Sequence, residues 1–451
     1  MVLGTRVPGR VGRRRISHDE DPSGSSSSFS ASFGARSGRY SSLLVLRILC
    51  VAGVNPWPAT DGYRQRLGAL IEALVPLGDV TFWCYDDDLS REGAGKAPAG
   101  VHLVPITAPP TGALHRLRKW ATSGLPRAMA RREPDRHRAA PDGSGFDVVL
   151  FSHLDAWHHY GAAVDAPAIV DFDNLEDLMI RARREAGSLR RHEAGTSWPA
   201  RLRGVVADLA DRVDEGRFTR LQQRCAASVH SVLLCSDLDV RRSGLPNARS
   251  VPNGANLNWS PPEQRPQVDD PALLFVGLLS YEPNADAVRW FASEVLPEVR
   301  SKVPGARFRV VGRGGAALRD ELSVLPGLEM VGEVDDLEPE LAAATLSVVP
   351  IRFGAGTRLK VVEAFANRLP LVSTTIGCEG IDGVHGRHLL VADDTRAFAD
   401  ACIELLEDEG RRLALASEAA ALYEERYRWS AIQEQFRELV RSAAGTSTQS
   451  V

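Results

Sequence analysis

The segment Gly354–Ala364, "GAGTRLKVVEA", sets two glycines ahead of Arg358, Lys360 and Glu363 at the start of a helical pattern. Glycines in such a turn let backbone N–H groups approach an anion, and the following helix points its positive end at the same place. Cations in a first helical turn oppose the dipole unless something negative sits before them. A bound anion is therefore expected here, the bland alternative being an exposed charged face on a surface helix.

Other candidates are more ambiguous one by one. Gly277 closes the apolar run "ALLFVG", and Gly312 and Gly314 lie in "VVGRGG". Each is either an ordinary tight turn or a place where backbone approaches a ligand. Gly332 to Val334, in "GLEMVGEVDDL", is either a loop from strand to helix or a source of backbone groups for a ligand. Asp61 is a natural helix N-cap, and Gly62 beside it would let backbone close over a phosphate or an acceptor. His153 follows the run "DVVLFS" and is either a structural histidine or a cleft residue. His158, His159, His385 and His388 lack carboxylates at metal spacing and read as structural. "YDDD" (85–88) has the Asp-x-Asp form of a divalent-cation site, but its place after a strand reads as a solvated loop; no metal is expected.

These residues sit on an alternation of strands and helices. "LRILCVAG" (46–53) is a buried parallel strand by its apolar run and terminal glycine. "DGYRQRLGALIEALVPLG" follows with Leu67, Leu70, Ile71 and Leu74 at helical spacing. Further strands fall at "VTFWCY", "VHLVPI", "DVVLFS", "PAIVDF" and "SVLLCS", with a long helix near 205–228. After the Pro-rich stretch 258–271 the pattern restarts with "ALLFVGLLS", "RFRVVGRGG", "TLSVVPI", "PLVST" and "HLLVAD". The expected fold is α/β with two Rossmann-like domains of parallel sheet facing a central cleft. The N-terminal domain spans 45–255 and the C-terminal one 256–421. The closing stretch 422–442 reads as an amphipathic helix with no strand after it. Residues 1–44, rich in Ser, Gly and Arg without apolar period, read as a disordered tail and not as an export signal.

Composition narrows the class. The 451 residues are 44% apolar and 25% charged with net charge −4, which gives no reason to expect nucleic-acid binding. No run of about 18 apolar residues marks a membrane span. The six cysteines, with no C-x-x-C, read as reduced thiols of a cytoplasmic protein. Two basic stretches, 115–138 and 181–204, mix arginines with Trp and Leu. They are either solvated helical faces or contacts with an anionic membrane surface or lipid-linked acceptor.

"PIRFGAGTRLKVVEAFANRLPLVSTTIGCEGI" (350–381) resembles the donor-binding segment of glycosyltransferase family 4. These are retaining enzymes of GT-B fold, and the likeness is to group 1 sugar transferases of the exopolysaccharide type. "NPWPATDGYRQRL", "VDFDNLE", "LLCSDLD", "VPNGANL" and "RYRWSAI" extend the likeness along the chain after residue 46, the last resembling the crossover that returns the helix 422–442 to the first domain. The resemblance implies a retaining glycosyltransferase that uses a nucleotide-diphosphate sugar as co-substrate, without further cofactor, and a glycan or lipid-linked acceptor. It would serve polysaccharide or glycolipid biosynthesis, in the cytoplasm or peripherally at the inner membrane face.

By the same likeness Glu363 would accept hydrogen bonds from ribose hydroxyls, a task that suits a carboxylate. Arg358 and Lys360 would hold the diphosphate and stabilise its developing charge. Gly354, Gly356, Thr357, Gly277, Gly312, Gly314, Gly332 and Val334 would bring backbone to the donor. Asp61 and Gly62 would form a phosphate or acceptor loop.

The sequence departs from the family pattern in three places. "FVGLLSYEPNADAV" (275–288) lacks the Arg/Lys pair that many relatives carry there, so the motif helix would supply the cations. Ala355 stands where the first glutamate of the family's Glu-x7-Glu signature is expected. Asp173 occupies the position of a histidine near the reacting sugar, which leaves Asp173 and His153 as the catalytic candidates beside the two cations. The alternatives are a nucleotide-sugar 2-epimerase on the same fold and a non-catalytic nucleotide-sugar-binding subunit.

Overall fold

The structure is a computed structural model. It describes residues 45–445 except 60, 91–94, 108–109, 133–140, 194–197, 256–259, 263–269, 355 and 357–358, and for 186–193 and 198–203 the backbone alone. The N-terminal stretch read as a tail therefore lies outside the described residues.

Seven parallel strands form the first sheet: β1 (Leu46–Ala52), β2 (Gly78–Tyr85), β3 (Val101–Ile106), β4 (Val148–Ser152), β5 (Ala168–Asp173), β6 (Ser231–Leu234) and β7 (Ala248–Ser250). Their order is β3-β2-β1-β4-β5-β6-β7. The second sheet has β8 (Ala272–Val276), β9 (Arg307–Val311), β10 (Leu328–Gly332), β11 (Leu346–Val349), β12 (Leu371–Ser373) and β13 (Leu390–Val391), in the order β10-β9-β8-β11-β12-β13. In each sheet the winding reverses beside the first strand, between β1 and β4 and between β8 and β11. Loops leave the sheet in opposite directions there, so a crevice opens beyond the carboxyl ends of the strands.

The apolar runs are nearly continuous because both sheet faces are covered. Strand β1 sends Ile48, Cys50 and Ala52 to one core and Leu49 and Val51 to the other. The first core is closed by helix α1 (Gly62–Leu74) through Leu67, Leu70 and Ile71. Beyond α1, the helices that concern the site are α2 (Ala113–Ser123), α3 (Glu176–Glu193), α4 (Trp198–Ser228), α5 (Glu282–Trp290) and α6 (Leu359–Ala366). A separate core around Phe275, Phe291, Phe308, Phe365 and Phe398 holds the second sheet.

The chain crosses between the halves twice, and the crossings bond to each other. Ala255 N–H donates to Tyr427 O at 3.1 Å, and the Tyr423 hydroxyl donates to Ala255 O at 3.0 Å. The C-terminal helix expected from residue 422 is interrupted. A π-helical turn spans Tyr423–Tyr427 and Arg428 is extended (φ −74°, ψ 129°), so α7 runs from Trp429 to Ala443. Its spacing explains its docking: Trp429, Ile432, Phe436 and Val440 enter the core of the first sheet beside α1. Gln433 and Arg437 then cap the Ala69 and Ala73 carbonyls of α1 at 2.9 Å each.

Inside the first domain a fully buried ion pair fixes α1 to the sheet. Arg66 and Asp171 are each 1% exposed. They meet as a two-point fork, Nε to Oδ2 at 2.9 Å and Nη2 to Oδ1 at 2.8 Å. Nη1 of Arg66 donates to Val251 O and Asn253 Oδ1 at 2.8 and 3.0 Å. Removing one partner would leave a buried charge unpaired, which costs about 3–5 kcal/mol. Arg66→Ala should therefore lower chemical-denaturation stability by about that amount, and pairing it with Asp171→Ala should be less damaging than the sum of the single changes. Equal costs in both backgrounds would contradict the coupling.

Candidate functional site

A cleft of about 750 Å³ lies where the second sheet meets the start of α1. Its floor is the carboxyl ends of β8, β9 and β11, through Val276, Gly277, Val311, Gly312 and Ile351. Glu333, Val334 and Asp335 after β10 wall one side, and Asp61, Gly62 and Gln65 close it from the first domain. Seven residues singled out in the sequence thus converge: Asp61, Gly62, Gly277, Gly312, Val334, Lys360 and Glu363. The floor requires glycine at one point above all. A Cβ on Gly312 (φ 148°) would sit 1.8 Å from the Gly277 carbonyl oxygen.

Helix α6 brings Lys360 and Glu363 to the cleft one turn apart. Lys360 Nζ donates to Asn284 Oδ1 at 2.8 Å and lies 4.2 Å from the centroid of the Phe275 ring. Asn284, at the start of α5, is locked in turn by its Nδ2 bond to Leu278 O at 2.9 Å. Asn284 and Phe275 were missed in the sequence; an asparagine opening the helix after a glycine-ended strand was the available signal. The half-buried Glu363 has no hydrogen bond or ion pair to its carboxylate among the described residues. Burial raises its pKa above the usual carboxylate value, and the Lys360 charge opposes that rise. A desolvated acceptor pair with no donor is what a ligand's hydroxyls would complete.

Arg358 and Thr357 lie outside the described residues, as does Ala355. Gly354 and Gly356 have φ of 116° and 88°, the left-handed region that favours glycine. Gly356 also approaches the first domain, since a Cβ there would meet Asn174 Oδ1 at 2.0 Å. Asp61 acts as the N-cap of α1, accepting from Arg64 N–H at 2.9 Å and pairing with its guanidinium at 2.7 Å. Gly332 O accepts from Gly312 N–H at 2.7 Å, and Gly314 packs against Ser280.

The two catalytic candidates of the first domain are not in this cleft. His153 lines a second cavity of about 340 Å³ with Tyr63, Asp155, Asn174 and Glu176. It adopts φ 68°, which is rare for a bulky residue, with its N–H bonded to Asp171 O at 2.8 Å and its ring 4.3 Å from that of Tyr63. Burial raises the Glu176 pKa, with His153 pulling it back. Asp173 is instead part of the Arg66 network. Its carboxylate accepts from Cys235 Sγ–H at 2.9 Å and Asn174 Nδ2 at 3.0 Å and lies 3.8 Å from Arg66. A carboxylate so engaged positions neighbours rather than facing the cleft. Cavity and cleft flank the same helix start, with Tyr63 in one and Gly62 in the other.

"YDDD" is no open loop: Asp86 starts a helical turn, Asp87 pairs with Arg132 at 2.7 Å and Asp88 with Arg64 at 3.4 Å. His385 and His388 each accept a backbone N–H at 2.9 Å. Among the described residues no three His, Cys, Asp or Glu side chains are grouped to hold a metal, and no helix is long and apolar enough to cross a membrane.

Two parallel-sheet domains with a cleft beyond their carboxyl edges define the GT-B fold of glycosyltransferases, as comparison with solved structures bears out. Sucrose-phosphate synthase of Thermosynechococcus elongatus superposes with TM-score 0.61 at 18% identity, over 89% of this chain and 99% of that one. HepE of Anabaena, solved with UDP and glucose, gives TM-score 0.55 at 14% identity over 88% and 100%. Residues 270–408, most of the second domain, match the family model "Glycosyl transferases group 1". A curated relative, an uncharacterized 44.6 kDa protein in the cps region of Klebsiella pneumoniae, is 28% identical over 163 residues. That match spans 34% of this chain and 42% of the relative's length.

Gly356→Ala tests the contact between the glycine turn and the first domain. Its left-handed backbone alone would cost about 1–2 kcal/mol in an L residue, and the collision with Asn174 adds to that. Gly244→Ala, at φ 63° with nothing within 4 Å, carries the strain without the collision. Thermal unfolding should show Gly356→Ala as the more destabilised; equal losses would mean that no close approach exists.

Proposed function

We propose that this chain is a retaining glycosyltransferase. It moves a sugar from a nucleotide-diphosphate sugar to a glycan or lipid-linked acceptor in polysaccharide or glycolipid biosynthesis. The observation that carries the reading is the Glu363 carboxylate, desolvated and without a donor among the described residues, one turn from Lys360 on the helix that opens the cleft. The group 1 family match covers the same domain, and a structural neighbour was solved with UDP and glucose. The relative in a cps region fits surface polysaccharide as the product.

In this reading the vicinal ribose hydroxyls donate to the two Glu363 oxygens. The diphosphate lies before α6, where Lys360 and the helix N-terminus meet it, with Arg358 as the second cation. Gly277 and Gly312 form a floor on which backbone approaches the donor. The acceptor enters from the first domain through the His153 cavity, beside Asn174 and Gly356. The leaving diphosphate oxygen takes the acceptor proton on the same face, which retains configuration and needs no protein base. Two cavities on either side of one helix start suit a reaction of two substrates, and that favours transfer over 2-epimerisation. The cytoplasm, with peripheral contact at the membrane, is the compartment this donor chemistry fits.

Sugar transfer from a panel of nucleotide sugars should require acceptor and be lost in Glu363→Ala. Loss of two charge-assisted hydrogen bonds corresponds to about 100- to 10,000-fold in donor affinity. Full activity of Glu363→Ala would overturn the donor assignment. The pH dependence has a definite sign. The free carboxyl has a raised pKa, whereas bound hydroxyls favour its ionised form. Donor binding should therefore tighten as pH rises through that raised value and level off above it. Glu363→Gln should bind weakly with a flat profile; a falling profile in the parent protein would contradict the role.

A further inference from the structure

Around the His153 cavity most carboxylates are engaged by the protein itself. Arg66 holds Asp171, Arg64 holds Asp88, and Arg127, between α2 and α4, holds Asp211 and Asp214. Asp177 accepts from Thr219 Oγ1 at 2.7 Å and from Gln222 Nε2 at 3.1 Å. Glu176 differs. It is the first residue of α3, it lines the cavity, and its half-buried carboxylate has no hydrogen bond or ion pair among the described residues. Burial raises its pKa; His153 and Arg131 oppose that rise, and neither bonds it among the described residues. Asp155, on the short helix Leu154–Tyr160, lines the same cavity and likewise has no described partner. A third acceptor follows from the Asp177 bond. Only the amide nitrogen of Gln222 can donate to a carboxylate, so its oxygen is left over. That Oε1 is buried without a partner, on a residue 5% exposed that also lines the cavity. The remaining walls are aromatic, with Tyr85, Phe172 and Phe218 all buried.

Resting on the transferase reading above, we infer that Glu176 is a specificity-determining residue that reads two adjacent hydroxyls on the acceptor's terminal sugar. A carboxylate with both oxygens available can accept from both hydroxyls of a vicinal diol. Asp155 and Gln222 add acceptors to the same lining, and the aromatic rings suit the C–H faces of a pyranose. Buried acceptors without donors are costly until a ligand supplies the donors. A site built this way rejects an analogue that lacks one hydroxyl, because its own group is then left unpaired. It selects a sugar unsubstituted at both positions over its deoxy or O-acylated forms. A purely structural Glu176, complementing the positive end of α3, would be indifferent to the sugar offered.

The test is a saturation-transfer NMR titration of the full chain with the methyl glycosides of glucose, mannose and galactose. Between them these present cis and trans diols, and each is run beside its 2-, 3- and 4-deoxy forms. At least one parent glycoside should bind. Removing either of two adjacent hydroxyls should weaken it about tenfold, the worth of one hydrogen bond to a charged group. Glu176→Gln, close in shape, should bind that glycoside more weakly, and the same two deletions should then cost clearly less. Deletions that cost the same in both proteins, or a variant that weakens every glycoside equally, would mean a structural role and overturn the inference. Failure of all three glycosides to bind the parent protein would overturn it as well. Glu176 lies outside the Glu363 cleft, so an unchanged nucleotide-induced thermal shift in the same samples shows that the variant is folded. If glycosides fail while a nucleotide still binds, only this inference falls. If glycosides behave as expected and no nucleotide binds, the donor reading falls instead.

Discussion

The cleft depends on holding still the start of one helix, and a buried ion pair does that. Asp61 and Gly62 open α1 at the cleft, Tyr63 faces the neighbouring cavity, and Arg66 lies one turn further in. The two-point bond of Arg66 to Asp171 fixes that turn against β5, and its bonds to Val251 and Asn253 tie it to the segment leaving for the second domain. Such a pair is costly to bury and gains little net stability. What it supplies here is position, because the planar two-point fork fixes the orientation of the guanidinium against β5. Helix α7 adds a clamp from the opposite direction, capping α1 carbonyls after crossing from the second domain.

Across the cleft the second domain presents opposite charges on one short helix. Lys360 is held over Phe275 by Asn284, so its ammonium is oriented in advance. Glu363 stays without a described donor, at an electrostatic disadvantage that burial imposes. Such a disadvantage is tolerated where a ligand relieves it, and this separates the site from an ordinary surface helix. The glycine turn before α6 carries the same logic into the backbone: Gly356 adopts a conformation that favours glycine and abuts Asn174. A shift of either domain would alter that contact, so the cleft and the His153 cavity are mechanically linked.

Much of this was legible in the sequence because parallel strands buried on both faces leave unbroken apolar runs that end in glycine. "LRILCVAG" and "ALLFVG" are β1 and β8 nearly residue for residue. The cleft residues were legible for a related reason, since Gly277 and Gly312 stand just after strand ends and Lys360 and Glu363 follow a glycine turn at a helix start. The failures are instructive. Arg66 looked like one more surface arginine, yet with Tyr63, Leu70 and Ala73 it shares a helix face, and Asp171 breaks an apolar strand at its middle. Two charges on core faces are a pair announced in advance. Asp173 was a catalytic candidate by family likeness, and what the sequence did not show is that its carboxylate bonds Cys235 and lies beside Arg66. The break at Arg428 is invisible to helical periodicity, because the apolar spacing continues through it while the backbone bends to bond Ala255.

The central claim is that a nucleotide diphosphate binds with its ribose on Glu363. The direct measurement is the thermal unfolding of the full chain with UDP, GDP, ADP and TDP in turn, repeated on Glu363→Ala. A ligand that binds only the native state stabilises it by about 2.7 kcal/mol at a hundredfold excess over its dissociation constant. The account predicts a clear upward shift with one of the four nucleotides, absent in the variant. No shift with any nucleotide, or one that survives in Glu363→Ala, would contradict it.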